Sequence, residues 1–245
     1  MPREWDAKSY DALPLPHTTW GTGVLDRLAA HRLPEAARVL DAGCGTGRDA
    51  AAARERWPAM RIVLLDGSEH MLAQARTKLG ETAEYVHADL MQPLTIDPVD
   101  AVMSVAAFHW VPDHAVLFAN LARVMRPGSP LVTDCGGTGN VAGVNQALAR
   151  ITGDTIAPWQ FADAEQTATR LVAAGFDVYD VRLKPDPFRC EDPDILEQYL
   201  ATVVLGSHLD RLPAGEHDSF VTEVRCALPA PEIDYVRLEI DAVRR

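Results

Sequence analysis

The 245-residue sequence predicts an α/β protein with a doubly wound, mostly parallel seven-stranded sheet. Two observations carry this. Several segments are short, nearly continuous apolar runs, such as Arg61-Ile-Val-Leu-Leu-Asp66, which suits strands buried on both faces. These runs alternate with helical stretches bounded by capping residues and glycines, as βαβ units require. The 47% hydrophobic and 24% charged composition is that of a globular chain long enough to bury a core without staples.

In chain order, residues 1–35 are expected as an N-terminal helical arm. The first strand is Arg38–Ala42, followed by a glycine turn and a helix over Arg48–Arg56 that Pro58 stops. A second strand covers Arg61–Asp66. Ser68 caps a helix over Glu69–Leu79, and Gly80 ends it. Residues 84–88 and Ala101–Val105 read as the third and fourth strands. Asp113 caps a helix that runs to Met125, and Pro127-Gly128 breaks it before a fifth strand at 130–135. A helix over 163–174 and a strand over 178–183 follow. Residues 193–228 read as a helical insertion, placed within a cap over 191–230. The alternation of Ile233, Tyr235, Arg237 and Glu239 predicts a last strand within 231–245, at or near the sheet edge. The expected domains are therefore the arm (1–35), a core (36–190), the cap (191–230) and the returning strand (231–245).

The charge balance, 23 basic against 35 acidic residues and a net −12, disfavours nucleic acid as a partner. The longest apolar stretches, such as residues 101–112, fall short of the roughly 20 residues that span a bilayer, so no membrane association is expected. The charged start, Met-Pro-Arg-Glu-Trp-Asp, lacks the apolar segment of a signal peptide. Cys44, Cys135, Cys190 and Cys226 show neither metal-ligand nor disulfide spacing, which suits reduced thiols, a cytoplasmic setting and no metal.

The chemistry centres on Asp41-Ala-Gly-Cys-Gly-Thr-Gly47. Gly43, Gly45 and Gly47 follow a strand and precede a helix, a position where glycine allows a tight turn and lets a ligand lie on the backbone. The spacing is GxGxG, not the GxGxxG of a dinucleotide fingerprint, and no Walker lysine follows. Three acids accompany the loop. Asp41 lies two residues before the first glycine. Asp66 ends the next strand, placed to accept from a ribose diol, and Asp89 follows the third strand, where it can accept from an adenine amine. Each alone suits a strand end or helix cap; the set of three points to a nucleoside ligand.

On DAGCGTG (41–47), LLDGSEHML (64–72), HADL (87–90) and SVAAFHWVPDH (104–114), the chain resembles the class I S-adenosyl-L-methionine-dependent methyltransferases, a Rossmann-like family. The resemblance covers most of residues 35–135. It implies that Asp41 and the backbone of Gly43, Cys44 and Gly45 hold the methionyl end and that Asp66 meets the ribose. It also implies that Gly67, Met71, Asp89 and Leu90 border the adenine, with Val105 and Ala106 at the sulfonium. Gly67 departs from the family, which often carries a larger apolar residue there. FHWVPDH, LEQYLATVVLGSHLDRLP (196–213) and YVRLEIDA (235–242) are further similar to the trans-aconitate methyltransferase group, which esterifies a small carboxylic acid. Juvenile hormone acid methyltransferase-like enzymes share the His-Trp.

The expected activity is methyl transfer to a small-molecule acceptor, most simply a carboxylate oxygen, which is already anionic and needs no base. A hydroxyl or amine acceptor would need one, and His109 is the candidate catalytic residue; otherwise it walls the pocket. Tyr10, His17, Trp110, His208, Arg211 and Arg237 are the candidate acceptor-binding residues, the arginines because a guanidinium suits a carboxylate. A ligand-binding or partner protein of the same fold without methyl transfer, and a nicotinamide dehydrogenase, are the alternatives; the glycine spacing disfavours the latter. A monomer or homodimer is expected.

Overall fold

A computed structural model describes residues 17–153 and 159–245. A first helix, α1 (His17–Ala30), leads into β1 (Arg38–Ala42), α2 (Arg48–Arg56), β2 (Arg61–Asp66), α3 (Glu69–Leu79), β3 (Glu84–His87) and β4 (Ala101–Val105). Next come α4 (His114–Val124), β5 (Pro130–Gly136), α5 (Ala142–Thr152), α6 (Ala164–Ala173), β6 (Phe176–Pro185) and the short β7 (Phe188–Arg189). The chain ends through α7 (Pro193–Tyr199), a π-helical turn at Leu200–Val204, α8 (Gly206–Leu209), α9 (His217–Ala227), β8 (Glu232–Ile233) and β9 (Val236–Arg244).

The seven-stranded sheet has the order β3-β2-β1-β4-β5-β9-β6. The first five strands pair in parallel, and β9 runs antiparallel to both β5 and β6. The order reverses between β1 and β4, where open sheets of this kind bind ligands. Because β9 is antiparallel, its N-terminal end reaches the same sheet edge as the carboxyl ends of β1–β5.

Each strand feeds both faces. Ile62 and Leu64 pack with Val24, Leu25 and Leu28 of α1 and with the small residues of α2 and α3. Val63 and Leu65 pack with Leu117, Phe118 and Leu121 of α4 and Leu171 of α6. Capping follows the side chains. Asp113 accepts from the backbone N–H groups of Ala115 and Val116, and Asp163 from Gln166. Caps of this kind contribute about 1 kcal/mol each.

The last strand lies near the sheet edge, as expected: it is one place in, and β6 is the edge strand. Its alternation reflects its two faces. Leu238, Ile240 and Ala242 join the apolar face, whereas Arg237, Glu239 and Asp241 turn to the face that α1 covers. Glu239 pairs in register with Asp134 of β5, two like charges side by side. Arg27 of α1 and Arg182 of β6 hold Glu239, at 3.4 and 2.6 Å, and Arg237 holds Asp134 at 2.7 Å. His31 meets Asp241 at 2.8 Å. The described part of the expected arm is thus a helix of the sheet layer, pinned by ion pairs. Ile233 belongs to a two-stranded ribbon, β7–β8, at the base of the cap.

Helix α5 is an element that sequence reasoning left unassigned. It packs Val144, Ala147 and Leu148 against Leu196, Tyr199, Leu200 and Val224 in a second core, away from the sheet.

Candidate active site

A cavity of about 540 Å³ opens along the carboxyl edge of the sheet. The β1–α2 turn forms its floor. Gly43 has φ +79°, and a Cβ there would lie 2.4 Å from that of Ala107, so only glycine lets the two loops meet. At Gly45, φ is +53° and an added Cβ would meet nothing within 4 Å. That open backbone is a cradle.

Asp66 is fixed by its own loop. Gly45 N–H donates to its Oδ2 at 2.8 Å and Ser68 N–H to its Oδ1 at 2.9 Å. Asp89 accepts from Met91 N–H at 2.9 Å. Gly43, Cys44, Gly45, Asp66, Gly67, Met71, Asp89, Leu90, Val105 and Ala106 all line the cavity. Asp41 does not. It is buried behind the loop, and its Oδ2 has no hydrogen-bond partner among the described residues. Burial, with Asp49 and Asp66 nearby, holds its carboxyl well above the usual range. The same burial, with Asp41 and Asp66 close, pushes the Cys44 thiol up, so it stays protonated and packs.

Asp49, in the first turn of α2, is a wall residue that sequence reasoning missed. Burial raises its carboxyl to about 6, with Asp134 adding to the shift against Arg48 and Lys78. Asp41, Asp49, Asp66 and Asp134 thus form a run of acids whose charges oppose one another. A ligand with a cationic end would relieve them.

At the other end, residues 104–114 leave β4 as a 3₁₀ turn, Phe108–Trp110. His114 Nε2 braces it against the Phe108 carbonyl at 3.0 Å. His109 is tied at both ends: Gln160 N–H donates to its carbonyl at 2.7 Å, and Gly136 N–H donates to its Nδ1 at 3.1 Å. A ring whose Nδ1 accepts carries its proton on Nε2. Burial, with Arg237 nearby, lowers its pKa well below the ordinary value. His109 is therefore a neutral donor through Nε2, and the geometry disfavours it as a base.

Arg237 and Trp110 also line the cavity. The Arg237 guanidinium is buried, bonds Asp134 through Nε and lies 3.6 Å from the centre of the Trp20 ring. Its Nη2 has no hydrogen-bond partner among the described residues. Trp20, which donates from Nε1 to Asp186 at 2.6 Å, also meets Tyr235 edge-on at 5.0 Å. Trp159 stacks on Phe161 at 5.4 Å and meets the edge of Trp110 at 6.0 Å. These aromatics share no motif, so nothing in the sequence announced Trp159 or Phe161 as wall residues. The π-helical turn brings Val203 and Val204 to the wall, a use of π geometry common at ligand sites.

Two expected acceptor residues are not wall residues. Arg211 is exposed beyond α8, because Leu205 and Leu209 turn that helix into the second core. His208 sits behind the wall, 6.1 Å from the Trp159 ring. Tyr10 lies outside the described residues, and His17 opens α1.

Residues 40–133 match the Methyltransf_11 family, described as a methyltransferase domain. A Haemonchus contortus phosphoethanolamine N-methyltransferase, solved with phosphomonomethylethanolamine and S-adenosylhomocysteine, superposes with a TM-score of 0.61 at 18% identity. The superposition covers 92% of this chain and 52% of that one. The fold is that of the class I Rossmann-like methyltransferases.

Trans-aconitate 2-methyltransferase of Azoarcus sp. is 30% identical over 216 residues, 84% of this chain and 83% of its own length. The enzyme of that name from Variovorax paradoxus is 31% identical over 80% of this chain and 79% of its own length. The chain belongs to the S-adenosyl-L-methionine-dependent methyltransferases, and S-adenosyl-L-methionine is its cofactor. The site fits that molecule: a cationic ligand meets the acid run and the open backbone at Gly45. Among the described residues no helix is long and apolar enough to cross a membrane.

Proposed function

We propose that this methyltransferase esterifies a carboxylate oxygen of a small-molecule acceptor. The observation that carries the reading is Arg237: a buried guanidinium on the cavity wall whose Nη2 has no hydrogen-bond partner among the described residues. The charge is paired with Asp134, but a buried N–H left without an acceptor is costly, and a ligand carboxylate would complete it with a charge-assisted hydrogen bond. The names of the Azoarcus and Variovorax relatives point the same way.

In this reading Asp66 and Asp89 hold the nucleoside end of the cofactor, and Gly43–Gly45 backbone with Asp49 hold its amino-acid end. The cofactor supplies an activated methyl group. Arg237 places the acceptor carboxylate, and His109 donates from Nε2 to it. The closed aromatic wall excludes water, and alignment of this kind contributes roughly 7–11 kcal/mol. No proton needs removal, which agrees with a His109 that holds its proton. A hydroxyl or amine acceptor would need a base where the geometry places a donor.

The test is transfer of a labelled methyl group to a panel of acids, followed by mild alkali. An ester releases the label as methanol; an alkali-stable label overturns the reading. Replacing Arg237 and its partner together (Arg237→Gln with Asp134→Asn) avoids stranding a buried charge. That double variant should lose at least 100-fold in kcat/KM for the acid while binding S-adenosylhomocysteine within a few-fold of the wild type.

A further inference from the structure

The cavity also discriminates among acids. Its wall carries two cationic side chains among the described residues, Arg48 and Arg237. Arg48 opens α2 directly behind the glycine loop, on the cofactor side. Arg237 alone faces the end built from β4, β5 and β9. That end also carries Trp20, Trp110, Trp159, Phe161 and Tyr235, Val203 and Val204 from the cap, and the uncharged polar side chains of His109, Asn140 and Ser207.

We infer that the acceptor is a monocarboxylic acid with a flat apolar body, its carboxylate on Arg237 and its body among Trp110, Trp159 and Phe161. This rests on the carboxylate reading above. The argument begins with charge. An acid with three carboxylates, such as trans-aconitate, would bring two further anions into a cavity that already holds Asp49, Asp66 and Asp89. No described wall residue on the acceptor side would compensate them. The second argument is shape. Trp159 and Phe161 stack on one another at an interplanar angle of 14°, and Trp110 meets Trp159 edge-on at 61°, so their planes leave apolar ring surface and edges toward the acceptor. A planar apolar body would stack there and displace water from apolar surface.

An aromatic box can instead hold a quaternary ammonium ion. Here the Arg237 guanidinium already covers the Trp20 face at 3.6 Å and lies 5.9 Å from the Tyr235 ring. A second cation would be repelled by the first. In the transfer itself, the acceptor oxygen's lone pair forms the O–CH₃ bond as the S–CH₃ bond breaks. The bonding pair stays on sulfur, and no proton changes hands.

The experiment compares trans-cinnamate, trans-aconitate and cinnamyl alcohol, which share a trans-alkene and differ in charge and body. Each is titrated calorimetrically into the full chain saturated with S-adenosylhomocysteine, then assayed for turnover with S-adenosyl-L-methionine. Cinnamate should bind at least tenfold tighter than trans-aconitate and give the methyl ester, and the alcohol should not be methylated. Preference for trans-aconitate overturns the inference and leaves the carboxylate reading standing. Methylation of the alcohol with no methylation of either acid overturns both. Binding of S-adenosylhomocysteine with no acid turned over also overturns the inference. Trp159→Leu and, separately, Phe161→Leu should raise KM for cinnamate at least tenfold while S-adenosylhomocysteine affinity stays within twofold. An unchanged KM in both variants overturns the stacking assignment.

Discussion

Asp49 is the residue whose protonation state matters most. In the cofactor-free chain it titrates near 6 instead of 3.8, so its charge opposes folding above pH 6. That penalty fades as pH falls through 6 and is gone near 4. Asp49→Asn should therefore raise stability at pH 7.5, read as a higher Tm, by no more than about 3 kcal/mol and by less where the carboxylate faces the cavity. The same variant should weaken cofactor binding, and wild-type binding should release a proton near pH 6. Calorimetry at pH 6 in buffers of different ionisation enthalpy reads that proton directly. At His109, a donor role and a base role separate cleanly. His109→Gln keeps an N–H near the place of Nε2 and should retain at least tenfold more activity than His109→Ala. Equal loss in the two would restore the base.

At the scale of elements, α1 bridges fold and site. Arg27 reaches the Thr133 carbonyl at 2.8 Å and Glu239 at 3.4 Å, so a polar stripe beside the apolar Leu25 and Leu28 helps to seat the helix end. One turn away, Gly21 leaves room for Asp49: an added Cβ would lie 1.9 Å from its Oδ1. Gly21→Ala should lower Tm and reduce S-adenosylhomocysteine affinity together, because helix and carboxylate cannot both stay in place. Loss of stability with unchanged affinity would show that Asp49 yields and takes no part in binding. The cap contributes through its π-helical turn, where the extra residue per turn rotates Val203 and Val204 toward the cavity.

At the scale of the whole molecule, the net charge of −12 sets how an anionic acceptor arrives. Long-range repulsion is screened by salt, whereas the Arg237 contact is buried and barely screened. KM for the acid should fall between about 20 and 200 mM ionic strength, near which the Debye length shrinks to about 8 Å. Binding of a neutral analogue should not follow it. A KM that rises with salt would mean that the entrance itself is locally basic.

The nucleotide half of the fold was readable because its signals are local. Uninterrupted apolar runs, capping residues and a glycine turn act within a few residues of one another, so β1–β5, α2–α4 and the positions of Asp66 and Asp89 follow from spacing alone. The acceptor half depends on contacts across the chain. Helix α5 starts after a glycine-rich run and packs on the cap, so its Val144, Ala147 and Leu148 pattern carried no sheet signal. The alternation in β9 placed that strand at or near the edge but could not say which, because a charged stripe beneath α1 and an exposed face produce the same pattern. Trp20, Trp159, Phe161 and Arg237 lie up to 217 residues apart in sequence yet form one wall. Local chemistry determines where the glycine turn and the strand-end acids lie; which walls surround an acceptor, and that Nδ1 of His109 accepts from Gly136, depends on which distant strands and loops the packing brings to the sheet edge.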